Sequence, residues 1–371
     1  MRTRRPSAVR TSLAPLQALV DNPLPAEIPG RFVGLIGAQP SVYSRSPQIW
    51  RPALGYLGLD AEYLALDVPG DRLGDVLAAL RSMPACLGAN VTVPYKEAAI
   101  PHLDELEPAA EAIGAVNTIV RTGDGRLVGA NTDGVGLVAA LLCEGEGGPL
   151  VDALYGLTVL LIGAGGAARA AAVALAPLLG TGELLVTDRT PERAAEVVSR
   201  AAASGRARAV PDEELETILP AVGLVINASV RGQSGIRKGS GGWTCLEPYS
   251  ALAPASPAVL PPMAESVFER EWAARAASDI EANHTRSRAR MRLLPPEAAV
   301  FDMVYAPPVT TTIRHAREVG LRAAGGRWMM IVQAAEACVS HICGRLVAAR
   351  GLDREVARRD VRQVMAAAWP P

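Results

Sequence analysis

The stretch GLTVLLIGAGGAARAAAVALAPLL, Gly156–Leu179, decides the fold. An apolar run of strand type leads into Gly163-Ala164-Gly165-Gly166-Ala167-Ala168, and an alanine-rich segment of helical character follows. A GxGxx[G/A] pattern set between a strand and a helix has a physical use. The first glycine permits the tight turn, and the second lets backbone N–H groups approach a pyrophosphate at the helix N-terminus. The same glycines in another setting would mark only a tight turn; here the context is the one dinucleotide binding requires. Gly163, Ala164, Gly165, Gly166 and Ala167 are therefore the first candidate cofactor residues.

The next apolar run, ELLVT, ends at Asp188, 25 residues after Gly163. A carboxylate at that point accepts hydrogen bonds from a free ribose and repels a 2′-phosphate, which favours NAD. Arg189 and Arg193 follow, and guanidinium groups grip phosphate, which favours NADP. The reading leans to NADP, with NAD kept open by Asp188. A further run, GLVINAS, ends the repeated β-α-β series.

Upstream, RFVGLIGAQP, AEYLALDV and CLGANVTVP read as buried strands, separated by the helical patterns SPQIWRPALGYLGL and DRLGDVLAALRSM. AVNTIVRTGDGRLVGANTDG holds two β-runs around Gly123-Asp124-Gly125, a hairpin signal. EGEGGP at Glu144–Pro149 interrupts the pattern and marks a boundary. The expected fold class is α/β: a mainly parallel N-terminal substrate domain plus a Rossmann-type, doubly wound dinucleotide-binding domain. Residues 1–29 are expected as a flexible tail, 30–131 as the substrate domain completed by 326–371, and 132–325 as the cofactor domain, with an insertion at 232–298. Within that insertion RGQSGIRKGSGGW and ALAPASPAVLPP read as loop, and AESVFEREWAARAASDIEANH as helix. Arg286, Arg288, Arg290 and Arg292 come after it, either a solvated basic edge or an anion-binding lid.

The totals exclude several classes. With 371 residues and 49% hydrophobic content the chain is long enough for two cores and is not disordered. Lys plus Arg number 37 against 38 Asp plus Glu, so no global field attracts nucleic acid or an anionic membrane, and the partner is expected to be small. Cys86, Cys143, Cys245, Cys338 and Cys343 show no CxxC spacing, and His102, His284, His315 and His341 never fall at HxxxH spacing. No disulfide framework and no metal are expected, and the setting is read as reducing and cytoplasmic. No apolar run reaches membrane-spanning length. The first twenty residues carry four arginines and no acid, which leaves organelle targeting as a lesser reading beside a disordered tail.

One local question remains in GANVTVPYKEAA, Gly88–Ala99: why Lys96 stands at the mouth of a buried strand. Alone it would simply reach water. Together, SRSP (Ser44–Pro47), NVTVPYKE (Asn90–Glu97), GAVNT (Gly114–Thr118), NTDG (Asn131–Gly134), GAGGAARA, INAS (Ile226–Ser229), DMVY (Asp302–Tyr305) and MMIVQAA (Met329–Ala335) resemble, in order and approximate spacing, the shikimate dehydrogenase family. The likeness runs from about Phe32 to Leu346, and NVTxPxK with NTDG is its most specific part.

The resemblance implies reversible reduction of 3-dehydroshikimate to shikimate with a nicotinamide cofactor, in a cleft between the two domains, by a monomer or homodimer. Lys96 and Asp133 resemble the catalytic pair. Ser44 and Ser46 match the serines that hold the substrate carboxylate; Asn90, Thr92, Asn117 and Gln333 match residues that contact or support the ring hydroxyls, and Tyr305 matches a pocket-lining tyrosine. Asp188-Arg189-Thr190 with Arg193, and Asn227, occupy cofactor-binding positions. Taken by themselves, Asp133 would form an Asx turn and Ser46 would cap a helix. The chain departs from the family at Tyr43, where many relatives have histidine, at Asp188 in place of asparagine, in INASVRGQSG, and in the length of the insertion. A quinate or aminoshikimate dehydrogenase is the near alternative; a metabolite sensor that has lost turnover is the alternative of another class.

Overall fold

The computed structural model describes residues 10–142, 148–203, 205–239 and 241–370. Cys143, most of the expected boundary at Glu144–Pro149 and the first nine of the twenty residues on which the targeting reading rests lie outside them. The chain divides into two compact units, Met1–Asp133 with Ile331–Pro371, and Gly134–Met330. Among the described residues no helix is long and apolar enough to cross a membrane.

The first unit carries β1 (Arg10–Ser12), β2 (Glu27–Pro29), β3 (Arg31–Gly37), β4 (Ala61–Asp67), β5 (Cys86–Val91), β6 (Glu105–Leu106), β7 (Thr118–Arg121) and β8 (Leu127–Ala130). Six of them form one mixed sheet in the order β4-β3-β5-β7-β8-β6. β3 pairs in parallel with β4 and β5, while β7 is antiparallel to β5 and β8, because a tight turn through Gly125 (φ +92°) joins β7 to β8. β3 is buried from Phe32 to Gly37, as a strand covered on both faces must be.

The expected flexible tail folds from Arg10 onward. β1 pairs antiparallel with β2, and Leu13, Leu16, Val20 and Ile28 join Phe32, Leu64, Leu73 and Ile119 in one core. The basic, proline-containing composition of the first residues hid an apolar set of only four side chains, which is enough to fix the segment once the sheet is there to receive them.

The second unit carries β9 (Thr158–Ile162), β10 (Glu183–Thr187), β11 (Ala207–Ala209), β12 (Leu224–Asn227), β13 (Ile236–Gly239), β14 (Gly242–Cys245), β15 (Ala299–Asp302) and β16 (Arg322–Gly325). Its main sheet is parallel throughout, in the order β11-β10-β9-β12-β15-β16. This is the doubly wound Rossmann order, with β9 and β12 flanking the point where the winding reverses. Alanines 168, 170, 171 and 172 on helix Gly166–Leu175 are buried and let that helix approach the sheet closely.

The insertion is more ordered than its composition suggested. The glycine-rich stretch read as loop contains the antiparallel hairpin β13–β14, and helix Glu265–Met291 runs straight through Arg286, Arg288 and Arg290. Tyr249, Leu260, Phe268, Trp272 and Ala276 form its own small core. For Arg286, Arg288 and Arg290 the anion-lid reading does not hold. Arg286 pairs with Glu216, Arg288 with Glu318, and Arg290, 1% exposed, with Asp212 and Glu216. Their charges are neutralised by neighbouring acids.

Leu16→Ala is expected to cost about 2–5 kcal/mol of stability, as for a core leucine. Urea denaturation read against the unsubstituted chain checks it; an unchanged midpoint would return residues 10–29 to the status of an appendage.

Candidate functional site

The sheet register of the first unit brings polar residues into one row. Asn90 lies opposite Thr118, and Thr118 opposite Ala130, so the ends of β5, β7 and β8 meet with Asn117 and Asn131 beside them. Lys96 sits in the turn that follows β5. Its Nζ donates to Asp133 Oδ2 at 2.5 Å, with the side chains 18% and 8% exposed. Asn117 Nδ2 donates to Asp133 Oδ1 (2.8 Å), Thr132 Oγ1 (3.0 Å) and Gln333 Oε1 (3.2 Å), while Asn117 Oδ1 accepts from Thr132 N and Thr118 Oγ1. An ammonium and a carboxylate, each held by further hydrogen bonds, thus converge from segments 37 residues apart.

The Asx turn in NTDG belongs to Asn131, not to Asp133. Asn131 Oδ1 accepts from Asp133 N (3.0 Å) and its Nδ2 donates to Ala115 O (2.9 Å). Asp133 is thereby released from local bonding and its carboxylate faces Lys96. A similar correction applies to the serines. Ser46 is the first residue of helix Ser46–Tyr56 and does not cap it; it is buried, and Ser44 Oγ accepts from its N–H (3.2 Å).

Tyr63 escaped the sequence reading. It lies within the apolar run of β4, stacked on Trp50 (ring centroids 4.9 Å apart), and its hydroxyl donates to Asn90 Oδ1 at 2.8 Å. Asn90 Nδ2 then donates to Asn117 O and Thr118 Oγ1. Tyr63 therefore connects helix Ser46–Tyr56, through Trp50, to the asparagine row. Its pKa is pushed well above the usual tyrosine value by burial, so it remains a neutral donor. The available signal was a tyrosine inside an apolar strand pattern, whose hydroxyl needs a partner once buried. Thr92 follows β5, with its N–H on Ile36 O (2.9 Å). Tyr43 Oη donates to Val93 O (3.3 Å).

In the second unit Gly163 adopts φ +114°, and a Cβ there would stand 3.0 Å from Ser229 N and 3.1 Å from Ala228 C. Only glycine lets the β9 turn close on the loop after β12. A Cβ at Gly165, by contrast, would meet nothing within 4 Å, and Gly165 precedes helix Gly166–Leu175 without a side-chain cap. Free first-turn N–H groups beside open space fit a pyrophosphate. Arg193 Nη2 donates to Ala164 O (3.3 Å), and Asp188 Oδ1 accepts from Thr190 N (2.9 Å), with Arg189 exposed between them. The residues present fit a dinucleotide.

Asn227, expected at the cofactor, is wholly buried, and its side chain is engaged elsewhere. Nδ2 donates to Asp302 Oδ1 (2.8 Å) and Arg231 O (3.0 Å), and Oδ1 accepts from Ser229 N (2.9 Å). Asp302 also accepts from Val304 N (3.0 Å) and Thr310 Oγ1 (2.6 Å), tying the loops after β12 and β15 together. Burial raises the Asp302 pKa to about 6, against the lowering effect of these donors. Tyr305 is half-buried, three residues beyond β15, in the second unit.

Comparison with known proteins gives concordant results. Residues 35–119 match the family described as shikimate dehydrogenase substrate binding domain, and residues 149–240 match shikimate / quinate 5-dehydrogenase. A relative named shikimate dehydrogenase (NADP(+)) from Symbiobacterium thermophilum is 33% identical, over 83% of this chain and 87% of its own length. Shikimate 5-dehydrogenase from Listeria monocytogenes, solved in complex with shikimate and NAD, superposes with a TM-score of 0.63 at 29% identity, covering 84% of this chain and 91% of that one. The Thermus thermophilus enzyme, solved with NADP(H) and shikimate, gives 0.59 at 31% identity, covering 90% and 99%.

The Asp302 pKa yields a pH dependence. The folded carboxyl keeps its proton up to about pH 6, whereas an unfolded aspartate releases it near ~3.9. The folded state binds more protons in that window, so this group's contribution to stability is full below about pH 4 and falls as pH rises through 6. The stability advantage of the unsubstituted chain over Asp302→Asn should shrink by roughly 2–3 kcal/mol between pH 4 and 7 in urea titrations. A pH-independent difference would contradict it.

Proposed function

The chain belongs to the shikimate dehydrogenase family, and from that premise we propose that it interconverts 3-dehydroshikimate and shikimate, with NADP as the preferred cofactor. The observation that carries the proposal is the Lys96–Asp133 pair at 2.5 Å, built from the two most specific family segments, NVTVPYK and NTDG. When bound, the reduced nicotinamide supplies hydride to the ring carbonyl carbon.

The chain's own groups do the rest of the work. Reduction of a ketone leaves an alkoxide, and Lys96 Nζ is the proton donor to that oxygen; its charge also stabilises the oxyanion as it develops. Asp133 fixes the ammonium and accepts from a ring hydroxyl. Asn117, held between Asp133, Thr132 and Gln333, orders the acceptors around the ring. Ser44 and the N-terminus of helix Ser46–Tyr56 take the substrate carboxylate, with Ser46 beside them. In the oxidative direction the same lysine, deprotonated, removes the hydroxyl proton. A binding protein that had lost turnover would have no need of a fixed ammonium–carboxylate pair at this point.

Arg193 beside the glycine turn and Arg189 at the end of β10 support the NADP preference, as does the NADP(+) in the name of the Symbiobacterium relative.

Initial rates of oxidation of shikimate and quinate, each with NAD and with NADP, test the proposal. Shikimate with NADP should show the highest kcat/KM; faster turnover of quinate would move the assignment, and no oxidation of either would end it. Lys96→Ala should lower kcat by about 10²–10⁴-fold with little change in KM, as for a general acid. Near-normal turnover would remove Lys96 from the mechanism. Tyr63→Phe leaves Asn90 Oδ1 without its donor and should raise the KM for shikimate about 5–30-fold, while leaving the KM for the cofactor in place. Equal changes in both KM values would show only a general loosening.

A further inference from the structure

Asp67 ends β4 and lies opposite Gly37, the last residue of β3. It is 6% exposed, and both of its carboxylate oxygens are engaged by one residue: Oδ1 accepts from Ser41 N (2.9 Å) and Oδ2 accepts from Ser41 Oγ. Ser41 belongs to the short helix Pro40–Tyr43, which leads straight into Ser44; Ser44 N closes that helix on Pro40 O (3.0 Å).

A helix of 4 residues does not hold itself together, because its first turn fixes several dihedrals for one hydrogen bond. This one gains little from packing: Pro40 is its buried residue, and Val42 is 79% exposed. Bonds at its two ends set its place. Asp67 takes Ser41 in the first turn, and Tyr43 Oη donates to Val93 O (3.3 Å) at the last residue. The carboxylate is the stronger hold, since two charged oxygens meet two donors.

Asp67 is in turn fixed by the segment that precedes β2. Its N–H donates to Asn22 Oδ1 (2.7 Å), its C=O accepts from Asp21 N (2.8 Å), and Asn22 Nδ2 donates to Ala65 O (3.0 Å). β4 is the edge strand of its sheet, so the Asn22 amide serves as one more backbone unit on that edge. The contacts run in one line from Asn22 through Asp67 and Ser41 to the helix that ends at Ser44.

We infer that Asp67 is a positioning residue for recognition of the substrate carboxylate: by holding Ser41 it sets the helix that delivers Ser44, and Asn22 makes residues 10–29 part of the same apparatus. The inference rests on the substrate reading above, in which Ser44 takes that carboxylate. Acting through its charge alone, Asp67 would oppose an anionic substrate, and its removal would lower KM. Acting through Ser41, its removal raises KM. The two roles differ in sign.

Initial rates of oxidation of shikimate and of its methyl ester by the unsubstituted chain, Asp67→Ala, Asp67→Asn and Ser41→Ala test it. Asp67→Ala should raise the KM for shikimate about 10–100-fold, with kcat and the KM for the cofactor within about 3-fold. For the methyl ester, which has no carboxylate to misplace, kcat/KM should change less than ~3-fold. Asp67→Asn should restore most of the loss, since an amide oxygen can accept from Ser41 N while its NH₂ donates to Ser41 Oγ. Ser41→Ala, at an exposed position, removes one of the two bonds and should raise the KM for shikimate about 3–10-fold; it decides the matter if Asp67→Ala does not fold. A fall in KM, an equal loss on acid and ester, or an unchanged KM in Ser41→Ala would overturn the inference. Absence of shikimate oxidation by the unsubstituted chain would end the substrate reading and this inference together, whereas normal preference for the acid over the ester in every variant strikes the role of Asp67 alone.

Discussion

The Asp133 carboxylate shared between Lys96 and Asn117 is the constraint around which the first unit is arranged. A half-buried ammonium needs an anion, and removing one partner of such a pair is costly because the other charge is stranded. The carboxylate has to come from a turn that brings it there without engaging it, and Asn131 provides this by making the local bonds itself. The sheet register then matters more than any single side chain. With β5, β7 and β8 as neighbours, the row Asn90, Thr118 and Ala130 is set by backbone pairing, and the polar residues flanking that row have little freedom left.

Much of this was legible in the sequence, and for identifiable reasons. The glycine turn could be read because strand, turn and helix are contiguous and because only glycine adopts φ +114° against a neighbouring loop at 3.0 Å. The convergence of Lys96 and Asp133 could be read only through the family likeness, since no periodicity relates residues in two separate turns. Tyr63 was hidden by being a good strand residue, and its role depends on Asn90 and Trp50, which reach it from other elements. Asn227 is expected at the cofactor from its motif; that its amide also closes β12 onto Asp302 is nothing the motif announces.

The insertion shows where reading by composition fails. Glycine and proline marked two of its stretches as loop, yet the first forms a hairpin, and the expected helix extends to 27 residues beside a small aromatic core. Arginines spaced along a helix end look like a basic surface until their partners are known. Arg290 is almost wholly buried, which no local signal announces, because the acids that make this tolerable, Asp212 and Glu216, lie more than seventy residues earlier in the chain.

The first unit is interrupted: it stops at Asp133 and resumes only at Ile331. Gln333, which closes the Asn117 and Thr132 bonds, therefore leaves the ribosome after every residue of the second unit has been made. The later-encoded Rossmann unit is contiguous and is complete first, while the unit that begins the chain waits for the segment from Ile331 onward. Order of synthesis and order of completion run in opposite directions, and a truncated product that stops short of residue 333 carries a finished nucleotide fold beside an unfinished polar clasp.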